Sequence, residues 1–338
     1  MSTIKKICYD KILPSDLRRA IPYAYMGEGR TRAISPIGKL WINGSTLKVR
    51  FLGGTAQQHD IVKKFAPRWS EHANLNFDFG NAPDADIRIA FNNDGAWSYV
   101  GTDAKHIPLG QPTMNFGWLD EAVVLHEFGH ARGLAHEHQN PEGGIKWNEA
   151  AVIRDLSGPP NNWDEATIRH NVLNKYSHDQ INGTEFDPES IMLYSFPAEW
   201  TTDGFHTEPN TKLSEIDKAF IAGSKMYPGR GEPQGVEIAV TEIKALQASI
   251  GQPGEEDIFI FNAKTAGHYT IETEGPTDLV MKLFGPDSQT QLVAEDDDSG
   301  QGYNPKINVD LLPGRYFIQV RHYNRSSGTG SYGIKVFK

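Results

Sequence analysis

His126-Glu127-Phe128-Gly129-His130-Ala131-Arg132-Gly133-Leu134-Ala135-His136 is the stretch on which the reading of the whole chain turns. Residues four apart share a helix face, so His126 and His130 can present two imidazoles to one point. Neutral imidazole is a good zinc ligand. Glu127 follows the first histidine, where its carboxylate can take a proton from a water activated by the metal. A histidine six residues beyond His130 would lie on the wrong face of a continued helix. Gly133 resolves this, because glycine accepts the left-handed backbone that ends helices and lets the chain bring His136 back. Three imidazoles leave a fourth coordination position open to water, as catalytic zinc sites require. A bare H-E-x-x-H arises by chance in roughly one such chain per hundred, and the added glycine and histidine make accident rarer by a factor on the order of several hundred. The competing readings are a helix end with metal-free, hydrogen-bonded imidazoles, or a closed structural zinc with a fourth ligand. His138 is the nearby spare for that role and reads as a surface histidine.

Around this string the pattern is mixed helix and strand. Residues 119–132 read as a helix with Leu119, Val123 and Phe128 among its apolar positions. Residues 85–91 alternate, with Ile87, Ile89 and Phe91 on one side and Asp86, Arg88 and Ala90 on the other. Leu40 to Leu52 suggests two strands around Asn43-Gly44, a strong hairpin dipeptide. Residues 56–73 carry Ile61, Val62, Phe65 and Trp69 at helical spacing, with Pro67 inside the pattern. Residues 141–185 read as helical and loop-rich, broken at Pro159-Pro160, and a short helix capped by Ser214 spans 214–226. After a linker at 228–235 the texture changes to short alternating segments separated by turns, the pattern of a small antiparallel β-sandwich. The expected division is 1–35, an N-terminal arm or pro-segment; 36–231, the domain that carries the histidines; and 232–338, the β-sandwich.

The 338 residues hold a formal net charge of −10 and no long Lys/Arg cluster, which argues against nucleic acid as a partner. No run approaches the roughly 20 apolar residues of a membrane span, and no signal peptide is visible at the N-terminus. Membrane insertion is therefore not expected. Cys8 is the single cysteine, so no internal disulfide framework can form.

H-E-x-x-H-x-x-G-x-x-H is the signature of the metzincin zinc peptidases, and the continuation His136-Glu137 resembles the astacin branch. Ser190-Ile191-Met192-Leu193-Tyr194 resembles the methionine turn of that branch, which usually carries histidine where this chain has Leu193. The resemblance implies an α+β fold: a metzincin-type domain with a twisted mixed sheet and an active-site helix, followed here by the sandwich. It implies zinc on His126, His130 and His136, with Glu127 as general base. Met192 would form an apolar floor beneath the imidazoles, and Tyr194 would be a further zinc ligand that swings to stabilise the oxyanion; the alternative for both is ordinary core packing. Asp120 and Ser190 match no role. Glu137 would pair with an N-terminus freed by removal of the residues before about Ala33, or be a plain solvated glutamate. Cys8 would be either a pro-segment thiolate that caps the open zinc position or an inert cysteine. Astacins proper have several disulfide-bonded cysteines, so the likeness is to the bacterial or fungal members.

The resemblance also implies a substrate laid as an extended strand against a sheet edge, for which 85–91 and the following Gly95–Gly101 are candidates; the alternative is that 85–91 is an interior strand. A side-chain pocket is expected near Phe196, Pro197 and Trp200. Residues from about 236 onward resemble the bacterial pre-peptidase C-terminal domain, on Asp257-Ile258-Phe259, Gly267-His268-Tyr269, Asp278-Leu279, Glu295–Gly300 and Pro313–Tyr316. That likeness implies Ca²⁺ gathered by Asp278, Asp296, Asp297 and Asp298, against the alternative of a solvated acidic loop. The expectation for the chain is a secreted zinc metalloendopeptidase acting on proteins or peptides, with leaderless export and an intracellular location as the alternatives for where it works. The alternatives are a substrate-binding or adhesion protein, or a host-directed toxin effector, built on the same fold.

Overall fold

The computed structural model describes residues 6–11, 13, 35–36, 39–176, 181–182, 185–223, 225–230, 235–241 and 244–338. These fall into two compact units, one mainly residues 46–230 and the other mainly 231–338 with Ile42–Ser45. The arginines at 18, 19, 30 and 32, and the expected cut near Ala33, lie outside the described residues.

In the first unit the chain forms β1 (Tyr9–Asp10), β2 (Ser35–Pro36), β3 (Thr46–Phe51), α1 (Ala56–Phe65), β4 (Asn76–Phe79), β5 (Ile87–Ala90), β6 (Ala96–Ser98), β7 (Met114–Phe116), α2 (Glu121–Ala131), α3 (Glu149–Ser157), α4 (Glu165–Ile168), β8 (Ile181–Asn182) and α5 (Glu215–Ile221). Six strands make one mixed sheet in the order β1-β6-β7-β5-β3-β4, in which only β6 and β7 run antiparallel. β2 and β8 pair separately.

The Asn43-Gly44 turn forms, with the Ser45 N–H donating to the Ile42 carbonyl at 3.1 Å, but no hairpin follows. β3 instead takes parallel partners on both sides, β4 and β5, which cover it better than one short antiparallel neighbour. The helix expected over 56–73 ends at Phe65 and continues as a tighter turn over Ala66–Glu71, because Pro67 cannot supply the next helical N–H. Its start is a capping box between Thr55 and Gln58.

β5 is interior, flanked by β3 and β7, and all four of its residues are buried. The polar side of the alternation misleads here. Arg88 is 1% exposed, and its guanidinium donates to the carbonyls of Gln111, Ala85 and Ile107, each at 2.8 Å. A buried cation is tolerated when its donors are satisfied in this way. Leu47, Val49, Ile87, Ile89 and Met114 of the sheet share one core with Trp69 and with Val124, Leu125 and Phe128 of α2.

The second unit is a sandwich of two sheets. One has the order β10-β17-β12-β15 (Leu246–Ile250, Gly330–Phe337, Gly267–Glu274, Lys306–Leu311). The other has the order β14-β13-β16-β11-β9 (Leu292–Asp296, Leu279–Phe284, Gly314–His322, Glu256–Ala263, Val236–Glu237). Among these strands every pairing is antiparallel except β9 with β11. Phe259, Phe261, Ile271, Met281, Ile318, Ile334 and Val336 fill the space between the sheets.

Candidate metal centre and cleft

α2 begins at Asp120, whose carboxylate accepts the Val123 N–H at 2.9 Å, a role that sequence reading left unassigned. The helix closes in a Schellman turn. The Gly133 N–H donates to the His130 carbonyl at 2.8 Å, the Leu134 N–H to the Gly129 carbonyl at 3.0 Å, and Gly133 adopts φ 101°. This reversal returns His136 to the helix face that carries His126 and His130.

The three Nε2 atoms converge, with His130 standing 3.2 Å from His126 and 3.0 Å from His136. Nδ1 of His126 meets the Ile191 carbonyl at 2.8 Å, and Nδ1 of His130 meets the Leu134 carbonyl at 2.9 Å. A carbonyl only accepts, so both Nδ1 atoms carry the proton and both Nε2 atoms present lone pairs. Two buried lone pairs facing each other need a cation between them. Ligands roughly 2.0–2.1 Å from zinc would stand about 3.3 Å apart in a tetrahedron, so the spacing fits that ion. Burial pushes His126 down to about 3 and lowers His130 and His136 as well, which favours the neutral, ligating form.

Glu127 is fully buried, and neither carboxylate oxygen has a nitrogen or oxygen partner. Burial pushes its pKa well up. The Cys8 sulfur, a carboxylate oxygen of Glu127 and a ring nitrogen of His126 lie within 4.8 Å of one another. Cys8 thus stands at the centre, its thiol pushed up first by burial and then by the Glu127 charge. The Tyr194 hydroxyl donates to the Cys8 carbonyl, and its ring centroid lies 4.3 Å from that of His136. Burial pushes the phenol's pKa well up, so it stays a donor.

Met192 is buried, and its sulfur packs directly on Gly129 of α2. The turn that carries it is braced from below by Asp217. That carboxylate accepts the Ser190 hydroxyl at 2.7 Å, the Ile191 N–H at 2.9 Å and the Ser214 N–H at 3.0 Å. Ser190 in turn accepts the Met192 N–H at 3.0 Å. Ser214 caps α5 as expected, but the helix stops at Ile221.

Several readings are corrected. His138 is fully buried rather than at the surface. Its Nε2 donates to the Asn171 carbonyl at 2.7 Å, and its ring lies 4.4 Å from that of Tyr194. Glu137 is not solvated. It accepts from Asn140 Nδ2 and from the Asp187 N–H, each at 3.0 Å, and burial pushes it up to about 8. Phe196 and Trp200 are core residues, packed with Val152 and Ile168.

Among the described residues, only His126/His130/His136 and Cys8/His126/Glu127 bring three such ligand atoms together. Asp278, Asp296, Asp297 and Asp298 do not form such a group. Asp296 is engaged within its own turn, accepting the Lys306 N–H at 2.7 Å and the Ser299 N–H at 3.1 Å.

The family model for astacin, a peptidase family, matches residues 34–219, more than half of the chain. The chain belongs to the astacin family. Residues 255–322 match the bacterial pre-peptidase C-terminal domain. The solved structure of myroilysin is 38% identical, with a TM-score of 0.54, and the alignment covers 56% of this chain and 97% of that one. Human Tolloid-like protein 1 is 24% identical over 202 residues, covering 57% of this chain and 18% of that protein. Zinc metalloproteinase nas-30 of Caenorhabditis elegans is 28% identical over 181 residues, covering 51% of this chain and 22% of that protein. The chain thus spans about a fifth of the length of the curated relatives it matches.

Proposed function

We propose that the chain is a zinc-dependent metalloendopeptidase that hydrolyses peptide bonds in proteins. The observation that carries this is the convergence of the His126, His130 and His136 Nε2 atoms beside the buried carboxylate of Glu127, which has no nitrogen or oxygen partner. Zinc held there would supply Lewis acidity and lower the pKa of a water from about 15.7 towards 7. Glu127 takes a proton from the attacking water and returns it to the leaving amine. The Tyr194 hydroxyl, which already donates to a peptide carbonyl in the cleft, would donate to the developing oxyanion. No motif or contact favours the adhesion or effector readings over this one.

The reading extends to latency. β1 lies along β6, the strand that Gly95–Gly101 supplies, in the parallel sense. The residues before about Ala33 would be a removable pro-segment, with Cys8 at the fourth zinc position and a processing site near Ala33. Glu137, buried and close to the methionine turn, would receive the new N-terminus. The proposed domains are 36–231 and 232–338, with secretion as the localisation. The likeness to the pre-peptidase C-terminal domain extends the reading to a calcium ion on Asp278, Asp296, Asp297 and Asp298, whose carboxylates would have to draw together around it; a calcium-dependent rise in the melting temperature of the second unit tests this.

The deciding experiment is casein cleavage, with zinc analysis, by wild type, Glu127→Ala and His130→Ala proteins, each first processed near Ala33 by an added protease. Glu127→Ala should retain zinc and lose nearly all turnover, whereas His130→Ala should lose both. Cleavage at the wild-type rate by purified Glu127→Ala protein would overturn the assignment.

A further inference from the structure

Residues 6–11 show how the cleft grips an extended main chain. On one edge, Asp10 stands opposite Ser98 of β6, and the Lys11 N–H donates to the Ser98 carbonyl at 2.8 Å. Strand alternation then turns the N–H and C=O of Asp10 towards the other edge. Asn171 takes both: the Asp10 N–H donates to its Oδ1 at 2.9 Å, and its Nδ2 donates to the Asp10 carbonyl at 3.4 Å. A carboxamide offers one acceptor and one donor in a plane, as a peptide unit does, so a single side chain acts as a strand partner. Two residues back, the Tyr194 hydroxyl holds the Cys8 carbonyl from the same side.

Asn171 is built for this position. It is fully buried, and its Nδ2 is steadied by the Thr167 carbonyl at 3.2 Å. It lies in a π-turn, Arg169–Leu173, that continues α4. Such turns are rare and concentrate at functional sites. Its own carbonyl anchors His138, the ring beside Tyr194.

We propose that Asn171 is a substrate-positioning residue that binds the main chain of a peptide on the edge opposite β6, two residues from the carbonyl held by Tyr194. This rests on the endopeptidase reading. The N–H and C=O of one residue leave a strand on the same edge, so the carboxamide serves a chain running in either direction. It reads backbone and not side chains, which gives affinity with little sequence preference.

The test uses the zinc-loaded full chain carrying Cys8→Gly, Asp10→Pro and Lys11→Pro, which removes the resident thiol and the two main-chain N–H groups that bond to Asn171 and Ser98. The probe is a peptide with the sequence of residues 6–13, added in trans, with or without a methyl group on the Asp10 amide nitrogen. With Asn171 present, methylation should weaken binding about tenfold, the scale of one buried hydrogen bond. With Asn171→Ala, the plain peptide should bind about tenfold more weakly and methylation should cost little more. Asn171→Asp keeps the acceptor and the size, so the methyl penalty should persist there; this guards against a mere folding defect. Equal methyl penalties with and without the Asn171 side chain, or no binding of the plain peptide, would overturn the proposal. Casein cleavage by the same proteins is read separately, so a failed endopeptidase assignment is distinguishable from a failed clamp.

Discussion

The sulfur of Met192 occupies the space that a side chain on Gly129 would need. A Cβ built there would overlap the sulfur and stand 3.3 Å from Cζ2 of Trp69. The methionine turn and the zinc helix therefore touch backbone to side chain, at a point between the first two histidines. Gly129→Ala should destabilise the protein by about 1–3 kcal/mol, the usual cost of overpacking, and should lower zinc affinity by tilting His126 against His130. Urea denaturation and metal titration check this. An unchanged midpoint and an unchanged zinc affinity would show that the contact yields freely.

Tyr194→Phe removes the hydroxyl that donates to the Cys8 carbonyl at the centre while keeping the ring against His136 and His138. kcat should fall roughly 10–1,000-fold, the range for a lost oxyanion donor, with zinc content unchanged. Steady-state kinetics on one peptide, with metal analysis, decides it. A kcat within twofold of wild type removes Tyr194 from the chemistry.

Asp217 ties stability to pH. Burial pushes its pKa up to about 6 from 3.8, so the folded protein binds this proton more tightly than the unfolded chain does. The resulting stabilisation is complete below pH 3.8 and is lost as pH rises through 6, by up to about 3 kcal/mol. Asp217→Asn cannot titrate. The stability of wild type relative to this variant should therefore decline between pH 4 and 7, as urea unfolding would show. A flat difference across that range would mean that the three donors hold the carboxylate ionised throughout.

Cys8→Ser should raise the basal cleavage of the full chain at least severalfold, because a hydroxyl is a far poorer zinc ligand than a thiolate. Fluorogenic peptide turnover before any processing reads this directly. Equal latency in both proteins would leave the cysteine without a role.

The histidines and Gly133 were legible because their relation is local: one helix and one turn place them, and both follow from spacing. The sandwich was legible from strand alternation alone. What escaped depends on distant partners. Asp217 reaches the methionine turn across 27 residues, and Asn171 meets Asp10 across 161. No local pattern announces a π-turn or the burial of His138. Arg88 defeated the alternation rule, since backbone carbonyls satisfy a charge that sequence patterning assigns to water. The bonds that Asp296 accepts from the Lys306 and Ser299 N–H groups are likewise set by the fold of its loop and by no local pattern.

Cys8 is the chain's one thiol, and in this arrangement it is packed against Glu127. Whatever vacates the cleft also uncovers the single sulfur that an alkylating dye can label. The fraction of molecules modified at a given moment therefore counts how many are open, so that activation can be followed as a stoichiometry, independent of any substrate.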